Sequence, residues 1–260
     1  MTKPGKPPLS AYIRTKNEAR MIADVVRAAL QVADEVVVVD SGSADNTINL
    51  AEEAGARVIR HAWEGFGRQK RVGEEACRHD WVLDLDADEI VTPDLAAEIA
   101  ALFGNGEPPL PVYFTPTVFV PPFGEPWRGF GVQSRHKLYD RRRFRAPDHA
   151  AWDQFDIPRG VAKGRLKEPL LHYAFEDAGH LMAKLNSGST TFARDAKQKP
   201  MALLVLRIFF GLPFYVAKRY FGDGFIRGGV YGFSFAMMAG FARWLRDVKM
   251  YEQRKIGREK

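Results

Sequence analysis

Apolar and polar residues alternate along the first hundred positions in a way that predicts strands and helices in turn. Residues 35–40 (EVVVVD) are nearly continuous valine, which is typical of a parallel strand buried on both faces. The other predicted strands are at residues 9–14, at residues 57–60 and from Trp81 onward, and the predicted helices are at residues 19–31, 45–54 and 68–78. This alternation with short connections predicts an α/β fold with a doubly wound, mostly parallel sheet.

Polar residues follow three of these predicted strands at the point where each strand ends. They are residues 14–18 (RTKNE), 40–43 (DSGS) and 86–89 (DADE). Ligands of doubly wound sheets bind beyond the carboxyl ends of the strands, so we expect these three segments to meet at one site. The chain has neither the G-x-G-x-x-G pattern of a dinucleotide fold nor the G-x-x-x-x-G-K-[ST] pattern of a P-loop.

The stretch WVLDLDADE at residues 81–89 concentrates negative charge directly behind an apolar run. In an extended chain Asp84, Asp86 and Asp88 share a face, and carboxylates this close resist burial unless a cation compensates their charge. A divalent ion, Mg²⁺ or Mn²⁺, is the simplest such cation, since both prefer carboxylate oxygen and also hold substrate phosphates. The alternative is a solvated acidic turn before a helix that Thr92 caps and Pro93 begins.

The second half of the chain is less regular. Residues 112–120 (VYFTPTVFV) predict a strand with Pro116 at an edge or a bulge. Residues 137–145 (KLYDRRRFR) predict a basic strand that faces solvent. The glycine-rich loop at residues 121–131 carries aromatic side chains that either stack on a sugar or cover the sheet.

Composition narrows the class of protein. An apolar content of 46% excludes wholesale disorder, and the single cysteine, Cys77, cannot form an internal disulfide. Residues 1–10 are polar and proline-rich, without the apolar core of a secretory signal, so we expect a cytoplasmic protein.

Positive charge is concentrated at the C-terminal end. From Lys197 onward, thirteen Lys and Arg face four Asp and Glu, a net charge of +9, whereas the rest of the chain carries −3. The longest charge-free apolar runs there are shorter than the roughly 18 residues needed to span a bilayer, so we expect helices that lie in the membrane interface. The alternative is an ordinary helical core. We expect an anionic membrane surface as the partner and no nucleic acid, because no nucleic-acid-binding motif is present.

The segments IRTKNE, VVDSGSADNT and LDADE, with Gly67 and Lys70 between them, resemble the nucleotide-sugar half of family-2 glycosyltransferases over roughly residues 9–103. The segment GFIRGG at residues 224–229 resembles, more loosely, lipopolysaccharide-core glycosyltransferases. The resemblance implies a GT-A-like fold and metal-dependent inverting transfer, with Mg²⁺ or Mn²⁺ as cofactor. The expected donor is a nucleotide-sugar, in particular a UDP-sugar, and the expected acceptor is a lipid-linked saccharide such as lipopolysaccharide core. The expected location is the inner face of the cytoplasmic membrane, with peripheral attachment.

Carried over residue by residue, the resemblance also implies a site. The implied donor-binding residues are Thr15, Asn17, Glu18, Asp40, Ser41, Gly42, Lys70, Arg71 and Asp86. The implied metal ligands are Asp86, Asp88 and His172. An inverting transfer needs a general base for the acceptor hydroxyl, and Asp148 and Asp153 are the candidates in the segment APDHAAWDQFD.

We expect a GT-A-like domain at residues 1–195, with a nucleotide-sugar half at 9–103 and an acceptor half at 104–195, followed by a basic, apolar, helical membrane-associating segment at 196–260. Three alternatives stay open at this point. They are a glycosyltransferase acting on polyprenyl phosphate, a homologue that binds donor without turnover, and a non-catalytic protein that binds an anionic surface or nucleic acid through the basic tail.

Overall fold

A computed structural model describes residues 8–150, 152–195, 197 and 199–256, so most of the polar N-terminal segment lies outside the described residues. The chain divides into two compact units. The first comprises Met1–Phe119 and Gln133–Tyr173, and the second comprises Val120–Val132 and Ala174–Lys260. The first unit contains all nine described strands, and the second contains the three C-terminal helices.

The first unit alternates strands and helices through its N-terminal part. Its strands are β1 (Leu9–Thr15), β2 (Glu35–Asp40), β3 (Arg57–Arg60), β4 (Trp81–Asp86), β5 (Glu89–Val91), β6 (Val112–Phe119), β7 (Gln133–Asp140), β8 (Gly164–Arg165) and β9 (Leu170–His172). Its helices are α1 (Ile22–Ala29), α2 (Thr47–Glu53), α3 (Phe66–Ala76) and α4 (Pro93–Leu102). Helix α4 begins as expected, since the Thr92 side chain accepts a hydrogen bond from the Leu95 backbone N–H at 3.1 Å.

The strands form one sheet in the order β3-β2-β1-β4-β7-β6-β9-β5, with β8 paired to β6. Strands β1 to β4 run parallel, whereas β7 is antiparallel to both β4 and β6. All six residues of β2 are buried, as its valine run predicts. The predicted doubly wound, mostly parallel α/β sheet is therefore confirmed.

Helix α1 shows why these segments pack as they do. Its buried residues Ile22, Val25, Val26 and Ala29 recur at helical spacing, so one stripe of the helix faces the sheet. They join a core cluster with alternate residues of β1 and β2, such as Ile13 and Val38. Each buried side chain of this size contributes about 1.5–3 kcal/mol through the hydrophobic effect.

The predicted solvent-facing strand at residues 137–145 is wrong. Strand β7 covers Gln133–Asp140, and its last five residues are buried, with Lys137 fully so. Strand β7 lies between β4 and β6, and Lys137 is buried where Glu89 and Asp86 compensate its charge. The basic residues 141–143 form a turn after the strand.

The second unit is helical. Its helices are α5 (Ala178–Asp195), α6 (Met201–Ala217) and α7 (Gly229–Ile256), and a π-helical turn, Lys218–Gly222, continues α6. The two expected apolar runs lie in separate helices, one in α6 and the other in α7. Helix α6 and its π-helical turn together form one helix, Met201–Gly222, which is long and apolar enough to cross a membrane by length and composition. Only 17% of its apolar window is buried within the protein. From the glycine-rich loop, Trp127 packs against Phe225 and Phe235 of this unit.

Candidate functional site

The carboxyl ends of β1, β2 and β4 lie side by side in the sheet. In the strand register Thr15 is paired with Asp40, and Arg14 is paired with Asp86. The parallel pairing therefore brings together the three polar segments that the sequence places after these strands, as expected.

Asp40 organises the loop after β2. One carboxylate oxygen accepts hydrogen bonds from the backbone N–H groups of Gly42 and Ser43, each at 2.9 Å, and the other accepts from the Ser43 hydroxyl. Gly42 has a φ of +89°, a conformation that favours glycine. This loop forms one wall of a pocket of about 430 Å³. The pocket is lined by Asp40, Ser41, Gly42, Ser43, Ile48, Arg60, His61, Ala62 and Trp63.

Residues after β1 tie this loop to the neighbouring strand. The Thr15 carbonyl accepts a hydrogen bond from the Ser41 N–H at 3.0 Å. Asn17 has a φ of 54°, its N–H donates to the Ser43 hydroxyl, and its side-chain carbonyl accepts from the Ala44 N–H, each at 2.8 Å. The Glu18 N–H donates to the Thr47 hydroxyl at 2.8 Å. Thr15, Asn17 and Glu18 therefore shape the Asp40 loop, although none of them is among the lining residues of the pocket.

Asp86 lies between two cations. Arg14 Nε donates to its Oδ1 at 2.7 Å, and Lys137 Nζ lies 3.6 Å from its Oδ2. Burial favours the neutral acid, but Arg14 and Lys137 outweigh this effect and hold the pKa of Asp86 well below its usual range. Lys137 also donates to Glu89 at 2.6 Å, and burial raises the pKa of Glu89 despite this contact. Asp86 is therefore a half-buried anion compensated by protein cations.

Asp153 joins the same network from the other side. Its Oδ2 lies 3.3 Å from both Arg14 Nη2 and Lys70 Nζ. Burial would raise the pKa of Asp153, but Lys70 and Arg14 lower it below its usual value, so the group is ionised at neutral pH. The other base candidate, Asp148, is exposed and pairs with Arg68 at 2.8 Å. The structure thus brings Asp153 to Asp86 and leaves Asp148 on the surface.

Lys70 and Arg71 are engaged by protein groups. Lys70 Nζ contacts Asp84 Oδ2 at 2.7 Å in a pair that is almost completely buried. The Arg71 Nε donates to the Ala146 carbonyl, and its guanidinium lies 3.9 Å from Glu75. In this structure both residues fasten α3 to its surroundings.

Asp88 and His172 form a separate pair at the edge of the sheet. Their side chains are 3.3 Å apart, and the Tyr173 N–H donates to the Asp88 carbonyl at 2.9 Å. Burial would lower the pKa of His172, but Asp88 raises it above the ordinary value. Among the described residues, no group of three or more His, Cys, Asp or Glu side chains is placed to hold a metal ion. Two of the three implied metal ligands are therefore in contact, while Asp86 faces Arg14 and Lys137.

Three residues of this region were not predicted as site residues. Arg14 contacts both Asp86 and Asp153, Lys137 contacts Asp86 and Glu89, and Gln69 lies behind the pocket wall. The buried Gln69 amide donates to the Ser41 hydroxyl at 2.8 Å and pairs with His61 Nδ1 at 3.0 Å. The sequence offers one signal for the two cations, since each interrupts or borders an apolar strand run.

Comparisons with known proteins agree on one family. A sequence model described as Glycosyl transferase family 2 matches residues 10–164, more than half of the chain. A glycosyltransferase of Rickettsia felis is 30% identical over 254 residues, covering 94% of this chain and 89% of that protein. A lipopolysaccharide core biosynthesis glycosyltransferase of Rhizobium meliloti is 25% identical over 256 residues, covering 96% and 94% of the two chains.

Among solved structures, the chain is similar to glucosyl-3-phosphoglycerate synthase from Mycobacterium tuberculosis in complex with Mn²⁺, UDP and glucosyl-3-phosphoglycerate. The identity is 26%, the TM-score is 0.35, and the similar region covers 40% of this chain and 42% of that chain. The family match and the full-length relatives confirm the expected glycosyltransferase, and the sheet is the GT-A-like α/β sheet expected of it. The chain belongs to glycosyltransferase family 2.

Proposed function

We propose that this protein is an inverting glycosyltransferase that moves a sugar from a nucleotide-sugar, in particular a UDP-sugar, to a lipid-linked saccharide such as lipopolysaccharide core. One observation carries the proposal: the Asp40 pocket and the Arg14–Asp86–Asp153 network lie at neighbouring carboxyl ends of one sheet. The family supports the transfer of a glycosyl group. The Rhizobium meliloti relative, similar over nearly the whole chain, supports the class of acceptor.

The pocket beside Asp40 is the proposed site of the donor base. Its polar wall presents the Asp40 carboxylate, the Ser41 hydroxyl and the backbone of Gly42, which can pair with the edge of a planar base. Trp63 lines the same pocket and offers an aromatic surface for stacking. The His61–Gln69–Ser41 hydrogen bonds hold this wall in place.

Asp153 is the proposed general base. It is ionised at neutral pH, and Arg14 and Lys70 hold its position. An ionised carboxylate can accept the proton of the acceptor hydroxyl as that oxygen attacks the anomeric carbon. Asp148 lacks comparable positioning, since its described ion pair is with an exposed arginine.

Asp88 and His172 fit a divalent ion that takes the rest of its ligands from the donor diphosphate, because Mg²⁺ and Mn²⁺ commonly use few protein ligands at such sites. When bound, the ion would act as a Lewis acid on the phosphate oxygens. Asp86 fits less well as a ligand, since Arg14 and Lys137 already neutralise it, and we assign it a positioning role for those two cations.

The test uses the full-length protein, a panel of nucleotide-sugars and purified lipopolysaccharide-core acceptor, with and without Mn²⁺. Asp88→Asn and Asp40→Asn are compared with Asp24→Asn, a matched change on the exposed surface of α1. We expect Asp88→Asn to abolish transfer and Asp40→Asn to weaken UDP binding, while the control behaves as wild type. Near-normal turnover of Asp88→Asn would remove the proposed metal role.

A second acceptor, polyprenyl phosphate, is favoured by one observation, the long apolar helix Met201–Gly222. In either case the proposed location is the inner face of the cytoplasmic membrane, where lipid-linked acceptors are accessible. Sugar transfer to polyprenyl phosphate but not to lipopolysaccharide core would decide for this second acceptor.

A further inference from the structure

A buried carboxylate in the second unit is surrounded by cationic side chains. Asp247 on α7 is fully buried. Its Oδ1 accepts hydrogen bonds from Lys199 Nζ at 2.7 Å and Arg243 Nη1 at 3.1 Å. Its Oδ2 accepts from Arg207 Nε at 3.0 Å and from the Tyr215 hydroxyl at 2.7 Å. The carboxylate therefore has two donors on each oxygen and needs no further partner.

Positive charge around Asp247 exceeds what one carboxylate neutralises. Arg246, the preceding residue of α7, adds a fourth cation, and its buried Nε has no hydrogen-bond partner among the described residues. Burial lowers the pKa of Arg246, and the charge of Arg243 lowers it further. Burial also lowers the pKa of Lys199. The charges of Arg243 and Arg207 lower it further, whereas Asp247 raises it. We call Lys199, Arg207, Tyr215, Arg243, Arg246 and Asp247 the Asp247 cluster.

The cations of the cluster reach the surface. The side chains of Lys199, Arg207 and Arg243 are 22%, 26% and 28% exposed. Within the described part of the chain, the two guanidinium groups each make one hydrogen bond, to Asp247, although each carries five N–H donors. Both guanidinium groups also lie against the Tyr215 ring, 5.4 and 5.0 Å from its centre, which fixes their orientation. The cluster thus presents prearranged donors with a surplus of positive charge.

We propose that the Asp247 cluster binds the phosphate group of an anionic membrane lipid. Arginine donors at fixed positions suit phosphate oxygen, and a phosphate would supply the negative charge that the cluster lacks.

Helix α6 indicates why the phosphate belongs to a lipid. The side chains of Phe209 and Phe210 are 74% and 70% exposed, close in sequence to Arg207, and Leu206 and Phe214 are also exposed. An apolar helix face of this kind is stable against hydrocarbon, while arginine and lysine at its border remain at the level of the headgroups. The inference rests on the membrane attachment in the proposed function, and it is independent of the transfer chemistry.

The test measures binding of the full-length protein to vesicles of phosphatidylcholine, alone or mixed with phosphatidylglycerol. Arg246→Gln removes the cation with the unpartnered Nε and leaves the four hydrogen bonds to Asp247 intact. Lys255→Gln, on the exposed C-terminal part of α7, is the matched control, because it removes the same charge from the same helix outside the cluster. We expect Arg246→Gln to weaken binding to phosphatidylglycerol vesicles about tenfold more than the control does, the loss typical of a hydrogen bond to a charged group. Equal losses in both variants would show diffuse attraction and overturn the site.

A second variant has the opposite expected sign. Asp247→Asn removes the competing negative charge, so it should tighten binding to phosphatidylglycerol vesicles even though it destabilises the helices. Thermal unfolding monitors its fold; if it does not fold, the Arg246→Gln comparison decides the question. A folded Asp247→Asn that binds these vesicles less tightly than wild type contradicts the proposal.

Two further arms separate the other ligands. In the first arm, the melting temperature is measured in inorganic phosphate and in chloride at equal ionic strength. If free phosphate raises the melting temperature as much as the phosphatidylglycerol vesicles do, the site binds a soluble anion and the proposal is overturned. In the second arm, the oligomeric state is measured without vesicles. If the wild type is a dimer and Phe209→Ser/Phe210→Ser is a monomer, the apolar face binds a second copy of the chain and the proposal is overturned. UDP binding is measured on the same samples. If the wild-type protein binds the vesicles as expected but does not bind UDP, the proposed function is refuted and the lipid site is not.

Discussion

Among the described residues of the first unit, Lys70 and Asp84 form one of two ion pairs that are almost completely buried, the other being Lys137 with Glu89. The two side chains are 1% and 3% exposed, and their charged atoms are 2.7 Å apart. The other oxygen of Asp84 has no hydrogen-bond partner among the described residues. Replacing Lys70 with Met keeps a long apolar stem and removes the charge, so Asp84 is left as a buried anion without its closest cation.

The size of the effect follows from the geometry. Two unit charges 2.7 Å apart attract by about 6 kcal/mol at an effective dielectric constant of about 20. Removing Lys70 also removes the cost of burying its own charge, so the net loss is smaller. Breaking a buried pair on one side typically costs about 3–5 kcal/mol. For a protein of this size each kcal/mol lowers the melting temperature by about 2–4 °C, so we expect a decrease of about 6–20 °C.

The assay is thermal and urea unfolding of Lys70→Met, with Lys70→Met/Asp84→Asn as the control. The double variant leaves no unpaired charge, so it should recover most of the lost stability. At temperatures where Lys70→Met is folded, its affinity for UDP should be close to that of wild type. If Lys70→Met is within about 1 kcal/mol of wild type in stability but loses UDP affinity, then Lys70 serves the donor phosphates and our account of the pair is wrong.

Three other predictions concern pH, close packing and the apolar helix face. Burial lowers the pKa of His136 to about 4, so the folded protein keeps this residue neutral. In the unfolded chain His136 binds a proton below its ordinary pKa of about 6.5, so the free energy of unfolding falls by roughly 3 kcal/mol as the pH decreases from about 6.5 to about 4. His136→Gln should flatten this part of the stability–pH curve, and an unchanged slope would contradict the assignment. A Cβ on Gly67 would lie 2.3 Å from the Trp152 carbonyl oxygen, so Gly67→Ala should cost about 1–3 kcal/mol in urea unfolding, whereas wild-type stability would show that the loop yields. Phe209→Ser/Phe210→Ser should weaken vesicle binding at least tenfold without lowering the melting temperature, because both side chains are exposed; a decrease in melting temperature would instead place them in a packed core.

Local patterns were sufficient for the parallel half of the sheet. The valine run of β2 and the apolar stripe of α1 each have one stable arrangement, since burial of these residues requires a covered strand and an amphipathic helix. The convergence of three strand ends followed from the same reasoning, because parallel neighbours must end at one edge. The cap at Thr92 was also predictable, since it depends on a few adjacent residues.

The other half of the sheet, which mixes parallel and antiparallel pairs, was harder to predict from local pattern. Strand β7 is basic and was expected to face solvent, yet Lys137 is fully buried. Burial of a lysine depends on carboxylates that are distant in the sequence, here Glu89 and Asp86, and no periodicity in β7 reports their presence. The domain boundary predicted at residue 195 stays a prediction, and contacts within the chain group residues 120–132 with residues 174–260.

By itself the sequence determined the α/β sheet, the family and the three segments that meet at its edge, because these depend on short-range patterns of apolar and polar residues. Only the tertiary structure decided which charge compensates which. It pairs Asp86 with Arg14 and Lys137, Asp84 with Lys70, and Asp88 with His172. The physical reason is that a buried charge is stabilised by whichever opposite charge lies within a few ångströms, and that distance is set by strand order and helix packing rather than by spacing along the chain.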